Sequence, residues 1–402
     1  MYDVIIVGAG ASGCFLALTL KYKNPNLKVA LIEKNDKLGK KLLITGNGRC
    51  NLGNTNITID NYNSSSSLNN FISQLKENGY LNYLKNFGIL TKKEDTSTRL
   101  YPYSNQAITV CKSFERALEK EKVNVIYNYD VKDVTYKNDC FVINNNLMGK
   151  KVVIATGGKT YPKTGSTGMG YNILKSFGHT ITKLYPSLTY LKTNNKYIKD
   201  LQGVRTDVVT KLNVDDKTIL TEKGQIQFTK DSLSGICIFN LSRYVSKYLE
   251  KNKKVDVVVD LVPDYDELYI NNYLKEFDNY TVSDAISCIL NKKVADVITK
   301  NLKLSNKTMC DISKTELENI SYTLKNMNFN IIATGGFETS QVTLGGALLS
   351  EFTNTLESKK ISGLYASGEV LDVDGICGGY NLSWAFTSAL IVAEGILKDN
   401  LK

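Results

Sequence analysis

His179 is the only histidine in a chain of 402 residues, and no serine, cysteine or carboxylate stands near it at the spacing of a catalytic motif. A lone histidine is the default acid or base near neutral pH. Here a structural place beside the strand it precedes is the simpler reading, and His179 stays a catalytic candidate on residue type alone. Eight cysteines are scattered with no C-x-x-C pair and no metal-like spacing, so no metal site is expected. The opening "MYDVIIVGAG" has neither a basic segment nor a cleavage site and passes directly into a strand pattern. The cysteines therefore read as free thiols in a reducing, cytoplasmic compartment. No apolar run reaches the roughly 18 residues of a membrane span, so no membrane partner is expected.

Arginine is also scarce. Arg49, Arg99, Arg116, Arg205 and Arg243 are the only five among 50 basic residues, and the formal net charge is +10. A lysine surface attracts phosphate-rich partners without reading base edges. No lysine block concentrates the charge as a binding tail does, which favours a plain compositional excess. No repeat with a period of about 20–50 residues stands out.

What is present is an alternation of strand and helix patterns at the two ends of the chain. "YDVIIVG" is a β-prone apolar run, residues 11–20 suit a helix packed on a sheet, and "KVALIE" is a second buried strand. The three make a βαβ unit of the expected length. "NITIDNYNSSSSLNN" reads as a mobile surface loop. Helices are expected around Phe71 to Phe87 and Thr109 to Lys120, and a buried strand at "KKVVIATGG". Near Pro186 the texture changes to short alternating strands, with turns expected at Asp215-Asp216 and at Lys223-Gly224. Tyr269 to Asn326 is helical in pattern, and "FNIIATGG" resumes the first texture. The expected architecture is an α/β fold whose Rossmann-like, dinucleotide-binding domain is discontinuous (1–187 and 330–402). It is interrupted by a β-rich, barrel-like domain (188–263) and a small helical domain (264–329).

Gly8-Ala9-Gly10-Ala11-Ser12-Gly13 is a G-x-G-x-x-G between the first strand and the first helix. Gly8 permits the tight turn, Gly10 admits a pyrophosphate to the backbone, and Gly13 lets helix and strand lie close. The phosphates meet the helix N-terminus, where free N–H groups and the dipole favour negative charge. Glu33 ends the second strand twenty residues after Gly13, the place of a ribose-binding acid. A glycine-rich turn without a ligand is the alternative, and the conjunction of strand, loop, helix and acid weighs against it. In "KLGKKLLITGNGRCN", Gly46 and Gly48 bracket Asn47 and precede Arg49, Cys50 and Asn51. That stretch suits a chain crossing a large flat ligand, with Lys40 and Lys41 available to phosphate. A solvated turn over a buried Cys50 fits it equally well.

These motifs, with "RLYPYSNQA", "VVIATGG", "YPKTGSTGMGY", "LSGICIFNLSR", "VTLGGA" and the C-terminal "GEVLDVDGICGGYNLSWAF", resemble the YhiN/BaiN-like flavoproteins, NAD(P)/FAD-dependent or aminoacetone-oxidase-like enzymes. The match runs in order from Met1 to nearly the last residue. The resemblance implies FAD in a two-dinucleotide-type fold, with Gly368-Glu369 at the ribityl chain. Gly378, Gly379, Tyr380 and Asn381 would open the last helix toward the flavin N1/O2 edge, where reduced flavin carries negative charge. It extends the cofactor set to Lys34, Lys41, Thr45, Val131, Ala155, Thr156, Gly157, Asp372 and Leu382. Where relatives commonly carry Thr-His-Tyr/Phe-Gly before Leu-Ser-Gly, this chain has Thr229-Lys230-Asp231-Ser232. If that histidine acts on substrate in the relatives, its role passes to Lys230 or is absent, so Lys230 and Cys50 join His179 as catalytic candidates.

The implied activity is an FAD-dependent oxidoreductase that accepts hydride from NAD(P)H at flavin N5 and reduces a polarised C=C bond of a small molecule. No second G-x-G-x-x-G marks a separate NAD(P)H domain. Two alternatives use the same cofactor. One is reduction of uridine in ribosomal RNA to dihydrouridine, with rRNA as partner. The other is an amine oxidase that re-oxidises its flavin with O2.

Overall fold

Val4, Ile5, Ile6 and Val7 are buried along the whole run, which is the signature of a central strand covered on both faces. The computed structural model describes residues 1–64 and 66–399 and divides them into two units, one built from the stretches up to 185 and from 337 on, the other from 186–336. In the first unit the strand Tyr2–Val7 pairs in parallel with Val29–Ile32 on one side and Leu147–Ile154 on the other. Asn124–Ile126 extends the sheet beyond Val29–Ile32, and Leu364–Ala366 pairs in parallel with the end of Leu147–Ile154. The start of that same strand turns antiparallel to Cys140–Ile143, which pairs with Val134–Lys137. The result is a mixed α/β Rossmann-like domain.

The first helix, Ala11–Lys23, is buried from Ser12 through Lys21 because the sheet and the last helix, Tyr380–Asp399, enclose it. Phe15 meets Phe386 at 5.3 Å between ring centroids, inside a cluster with Tyr83 and Phe87. Burial of such aromatic rings contributes on the order of 2–3 kcal/mol each, which fastens the last helix over the glycine loop.

The second unit is a closed barrel of six strands in the order Leu191–Thr193, Ser232–Ser234, Lys217–Phe228, Arg205–Val214, Val255–Asp260 and Met327–Thr334, which returns to the first. Several expectations differ here. Residues 330–334 belong to the barrel rather than to the first unit, since Asn330 pairs with Asp256 and Thr334 with Leu191. The helical stretch is thus inserted between two barrel strands. A helix, Ile236–Glu250, stands inside the region read as strands. Cys237, Ile238, Leu241 and Val245 form its buried stripe, and the local run "GICIF" hid that spacing. The turn at Asp215-Asp216 is present, with both residues at positive φ. Lys223-Gly224 is instead uninterrupted strand. A Cβ at Gly224 would lie 3.5 Å from Cys237, so the glycine marks where the helix closes on the strand.

The stretch expected as a mobile loop, "NITIDNYNSSSSLNN", instead carries a strand. Tyr62–Ser64 pairs antiparallel with Val373–Gly375, deep in the C-terminal motif, and Tyr62 and Leu68 are buried. Ser65 lies outside the described residues. Among the described residues no helix is long and apolar enough to cross a membrane.

Candidate functional site

The glycine loop is built as its spacing requires. Gly8 sits at φ +106, donates its N–H to the Ile32 carbonyl, and would place a Cβ 2.6 Å from the Ala155 oxygen. A Cβ on Gly13 would fall 1.9 Å from the Gly8 oxygen, so helix and strand touch there through glycine alone. Gly10 differs, because a Cβ there would meet nothing within 4 Å. It precedes a helix that no side chain caps and whose first turn, from Ala11, holds no acid. The helix end therefore keeps its partial positive charge and its orphan donors. Glu33 is buried; one carboxylate oxygen accepts the Ala9 N–H at 3.0 Å, and the other accepts the backbone and side-chain N–H groups of Asn35. Lys34 reaches Thr167 at 3.5 Å. Val131 is buried two residues past Tyr129, whose N–H bonds the Glu33 carbonyl.

The C-terminal motif meets this loop from the other side. Ser12 and Ser367 share a 2.5 Å hydrogen bond, and the Ser388 hydroxyl continues the chain by accepting the Gly368 N–H at 2.9 Å. A Cβ on Gly368, at φ +79, would press on Ser12 at 3.1 Å. Glu369 receives the Lys41 ammonium at 2.7 Å on one oxygen and the Thr343 N–H at 2.9 Å on the other. Lys41 also donates to the Thr160 hydroxyl at 2.7 Å. Ala155 follows the sheet strand, with its N–H on the Val7 carbonyl, and Thr156 and Gly157 lead toward Glu369, 3.8 Å from a Cβ on Gly157. Asp372 donates its backbone N–H to Ala347.

Residues 45–51 make a tight, left-handed crossing. Gly46, Asn47, Gly48 and Cys50 all have positive φ, and the Thr45 hydroxyl donates to Leu42. Arg49 is committed to Glu94 at 3.0 Å and to the face of Tyr101 at 3.9 Å. The buried Asn51 Oδ1 has no hydrogen-bond partner, and a Cβ on Gly379 would stand 2.6 Å from it. Asn54 donates to the Gly378 carbonyl, the Tyr62 hydroxyl to the Tyr380 carbonyl, and the Tyr380 hydroxyl to Asn56. Asn381 clasps Gly375 through both backbone groups, at 2.8 and 2.9 Å, so its side chain shapes the loop. Leu382 packs against the core of the first unit.

The three catalytic candidates fall in other settings. His179 lies between Glu351 at 3.1 Å and Ser358 at 2.7 Å, stacked on Phe352, with both ring nitrogens engaged. Burial pulls its pKa below the usual imidazole value although Glu351 opposes this. That is a packed structural imidazole. Burial pushes the Cys50 thiol up to about 12, against a Thr45 hydrogen bond, so it holds its proton at neutral pH. Lys230 is exposed on the turn that the Thr229 N–H closes onto the Ser232 carbonyl, in the second unit. Sequence reasoning missed Asn54, Asn56 and Tyr62, which hold the C-terminal loop. It also missed Thr160 and Thr343, which hold the Lys41–Glu369 pair. No motif spacing signals them, since Asn54, Asn56, Tyr62 and Thr160 act across more than a hundred residues of sequence and Thr343 across 26.

The family model for the HI0933-like protein Rossmann domain matches residues 2–395. The chain is 32% identical to a 3-dehydro-bile acid delta(4,6)-reductase of Clostridium scindens, over 98% of both chains. It is 27% identical to a ribosomal RNA dihydrouridine synthase of Escherichia coli, again over 98% of both. In fold it is similar to the 3-ketosteroid delta1-dehydrogenase of Sterolibacterium denitrificans, with a TM-score of 0.50, 12% identity and 99% of each chain covered. The chain belongs to the HI0933-like family, whose Rossmann-fold members are FAD-dependent oxidoreductases.

Proposed function

We propose that the first unit holds FAD along residues 8–13, 33–51 and 368–382 and that the protein is an NAD(P)H-dependent reductase of a polarised C=C bond in a small molecule. One observation carries the cofactor assignment. Three glycine-bearing segments, remote in sequence, converge on a helix end that no side chain caps, and the cradle at Gly10 is open to a ligand. The buried, unpartnered Asn51 Oδ1 beside Gly379 adds an acceptor awaiting a donor. These features fit a dinucleotide.

Within that reading the first-helix N–H groups bind the pyrophosphate, and Glu33 orients the adenosine ribose. Lys41 and Glu369 set the ribityl region. Residues 45–51 and 378–380 line the ring, held in place by Asn54, Tyr62 and Asn381. FAD bound there supplies hydride acceptance and donation at N5. The net reaction adds one hydride and one proton across a C=C bond while NAD(P)H is oxidised. The 32%-identical delta(4,6)-reductase, a name that denotes reduction of double bonds in a bile acid, supports this reaction class.

Uridine reduction in ribosomal RNA is the second reading, favoured by the 27%-identical dihydrouridine synthase. The lysine surface adds little to it, since the charge is spread along the chain without a block and several exposed lysines sit in local ion pairs. Lys253 pairs with Asp215, Lys254 with Asp216, Lys292 with Asp284 and Lys300 with Asp200. The test is anaerobic mixing of FAD-loaded protein with NADH and with NADPH, following the visible flavin band. Rapid bleaching is expected, followed by re-oxidation with an enone. Re-oxidation by unmodified rRNA, with dihydrouridine formed, would shift the assignment to the second reading. An unbleached flavin that small amines reduce would overturn both.

A further inference from the structure

Between Pro263 and Thr281 an aromatic residue recurs at every fourth position, Tyr265, Tyr269, Tyr273 and Phe277, with Tyr280 beyond. Tyr269 and Tyr273 lie one turn apart on one face of a helix, Tyr265 just precedes that helix, and Phe277 ends the short 3-10 turn that follows it. The helix Glu267–Leu274 buries Ile270 and Leu274 in the core of the second unit, which leaves its tyrosines on the outside. Tyr265, Tyr269, Tyr273 and Tyr280 are 49%, 52%, 37% and 47% exposed, and Leu268 among them 68%. The rings are ordered against one another. Tyr265 and Tyr269 stack at 4.4 Å and 15°, while Phe277 contacts Tyr273 at 5.1 Å and Tyr280 at 5.2 Å. Two adjacent groups of exposed aromatic rings of this kind mark an interaction site more often than chance exposure.

The charge around the ladder runs against the rest of the molecule. Asp264, Asp266, Glu267, Glu276 and Asp278 are all exposed, against Lys275 alone, so residues 264–280 carry a net −4 in a chain of +10. Lys325, from the neighbouring helix, is committed to Asp260 and to the Val262 and Tyr265 carbonyls, and Lys223 stands 3.7 Å from Asp264. The cation–π contacts among the described residues fall on Tyr83, Tyr101, Tyr103, Tyr185, Tyr197 and Phe337, so the ladder's faces are taken by none of the chain's own cations. Five carboxylates repel a phosphate backbone, which argues against stacked nucleic-acid bases here. Aromatic faces rimmed by carboxylates suit ammonium and guanidinium groups.

We propose that this face docks a lysine- or arginine-rich segment of a partner protein. The aliphatic stems lie along Leu268 and the rings, and the charged heads reach the carboxylates. The test uses the full chain and a short fluorescein-labelled peptide of alternating lysine and arginine, read by anisotropy at low and at physiological salt. Saturable, salt-sensitive binding is expected. Tyr269→Ala with Tyr273→Ala should weaken it about tenfold, as should Glu267→Gln with Glu276→Gln. Both variants replace exposed side chains, and unchanged circular dichroism and melting confirm their folding. No binding, or binding that neither variant weakens, would overturn the proposal. So would a uridine oligonucleotide competing for the same rings, or self-association abolished by the tyrosine variant, which would assign the face to RNA or to a second copy.

Discussion

Lys41 and Glu369 stand 2.7 Å apart across 328 positions of sequence, with the Thr160 hydroxyl and the Thr343 N–H completing their hydrogen bonds. Their side chains are 24% and 20% exposed, so the pair is partly withdrawn from water. A carboxylate held in this way needs both its partners. Lys41→Met is expected to cost about 1–3 kcal/mol of stability, and Glu369→Gln a similar amount. A double-mutant cycle by urea unfolding should return a coupling near 1–2 kcal/mol. Additive effects would mean that the pair is incidental.

Gly10 separates cofactor approach from folding. Its φ is ordinary and an added Cβ meets no atom of the chain, so Gly10→Ala should melt within about 1 kcal/mol of the parent. If a pyrophosphate lies against this backbone, the same methyl group collides with it. The flavin-to-protein ratio of the purified variant, read from its visible and ultraviolet absorbance, should then fall well below that of the parent. Undiminished flavin in Gly10→Ala would move the phosphate site elsewhere.

Acid stability should report the Glu351 carboxylate that Thr180 and Lys360 hold. Burial alone would raise the Glu351 carboxyl, but the Thr180 N–H and hydroxyl and the Lys360 ammonium hold it down at about 2, below its ordinary 4.5. Its contribution is therefore complete above pH 4.5 and lost as pH falls from there toward 2. His179 is lowered by burial, so its stabilising effect is present above pH 6.5 and declines below it. Urea midpoints measured against pH should fall in two stages, and Glu351→Gln should flatten the lower one. An unchanged acid limb in that variant would exclude Glu351 as its source.

Thiol reactivity should follow burial rather than motif. Cys50 and Cys14 are fully buried with pKa values raised by desolvation, while Cys288 and Cys310 are exposed. Iodoacetamide at mildly alkaline pH should label Cys288 and Cys310 within minutes and spare Cys50 until the chain unfolds. Mass spectrometry of the digest decides it, and early labelling of Cys50 in folded protein would restore it as a reactive residue.

The first βαβ unit was legible from the chain because its signals are local. Gly8, Gly10 and Gly13 sit in one turn, Val4 to Val7 in one strand, and Glu33 at the end of the next, so short-range sterics and hydrophobic pattern suffice. The C-terminal glycines announced a close approach, and Gly379 makes it, against the Gly53 carbonyl. What approaches them could not be read. The polar stretch around Tyr62 looks solvated by composition, yet it pairs with Val373–Gly375, because a strand can gain its hydrogen bonds from any edge that the fold brings near. The same holds for Met327–Thr334, whose alternating Met327, Phe329 and Ile331 suit either sheet and which is claimed by the barrel through its pairing with Val255–Asp260. Local sequence determined the first βαβ unit and the Asp215-Asp216 turn, but not the helix Ile236–Glu250 or the strand at Tyr62–Ser64. Only tertiary packing decided their partners, since backbone hydrogen bonding carries no residue code and hydrophobic burial is not directional.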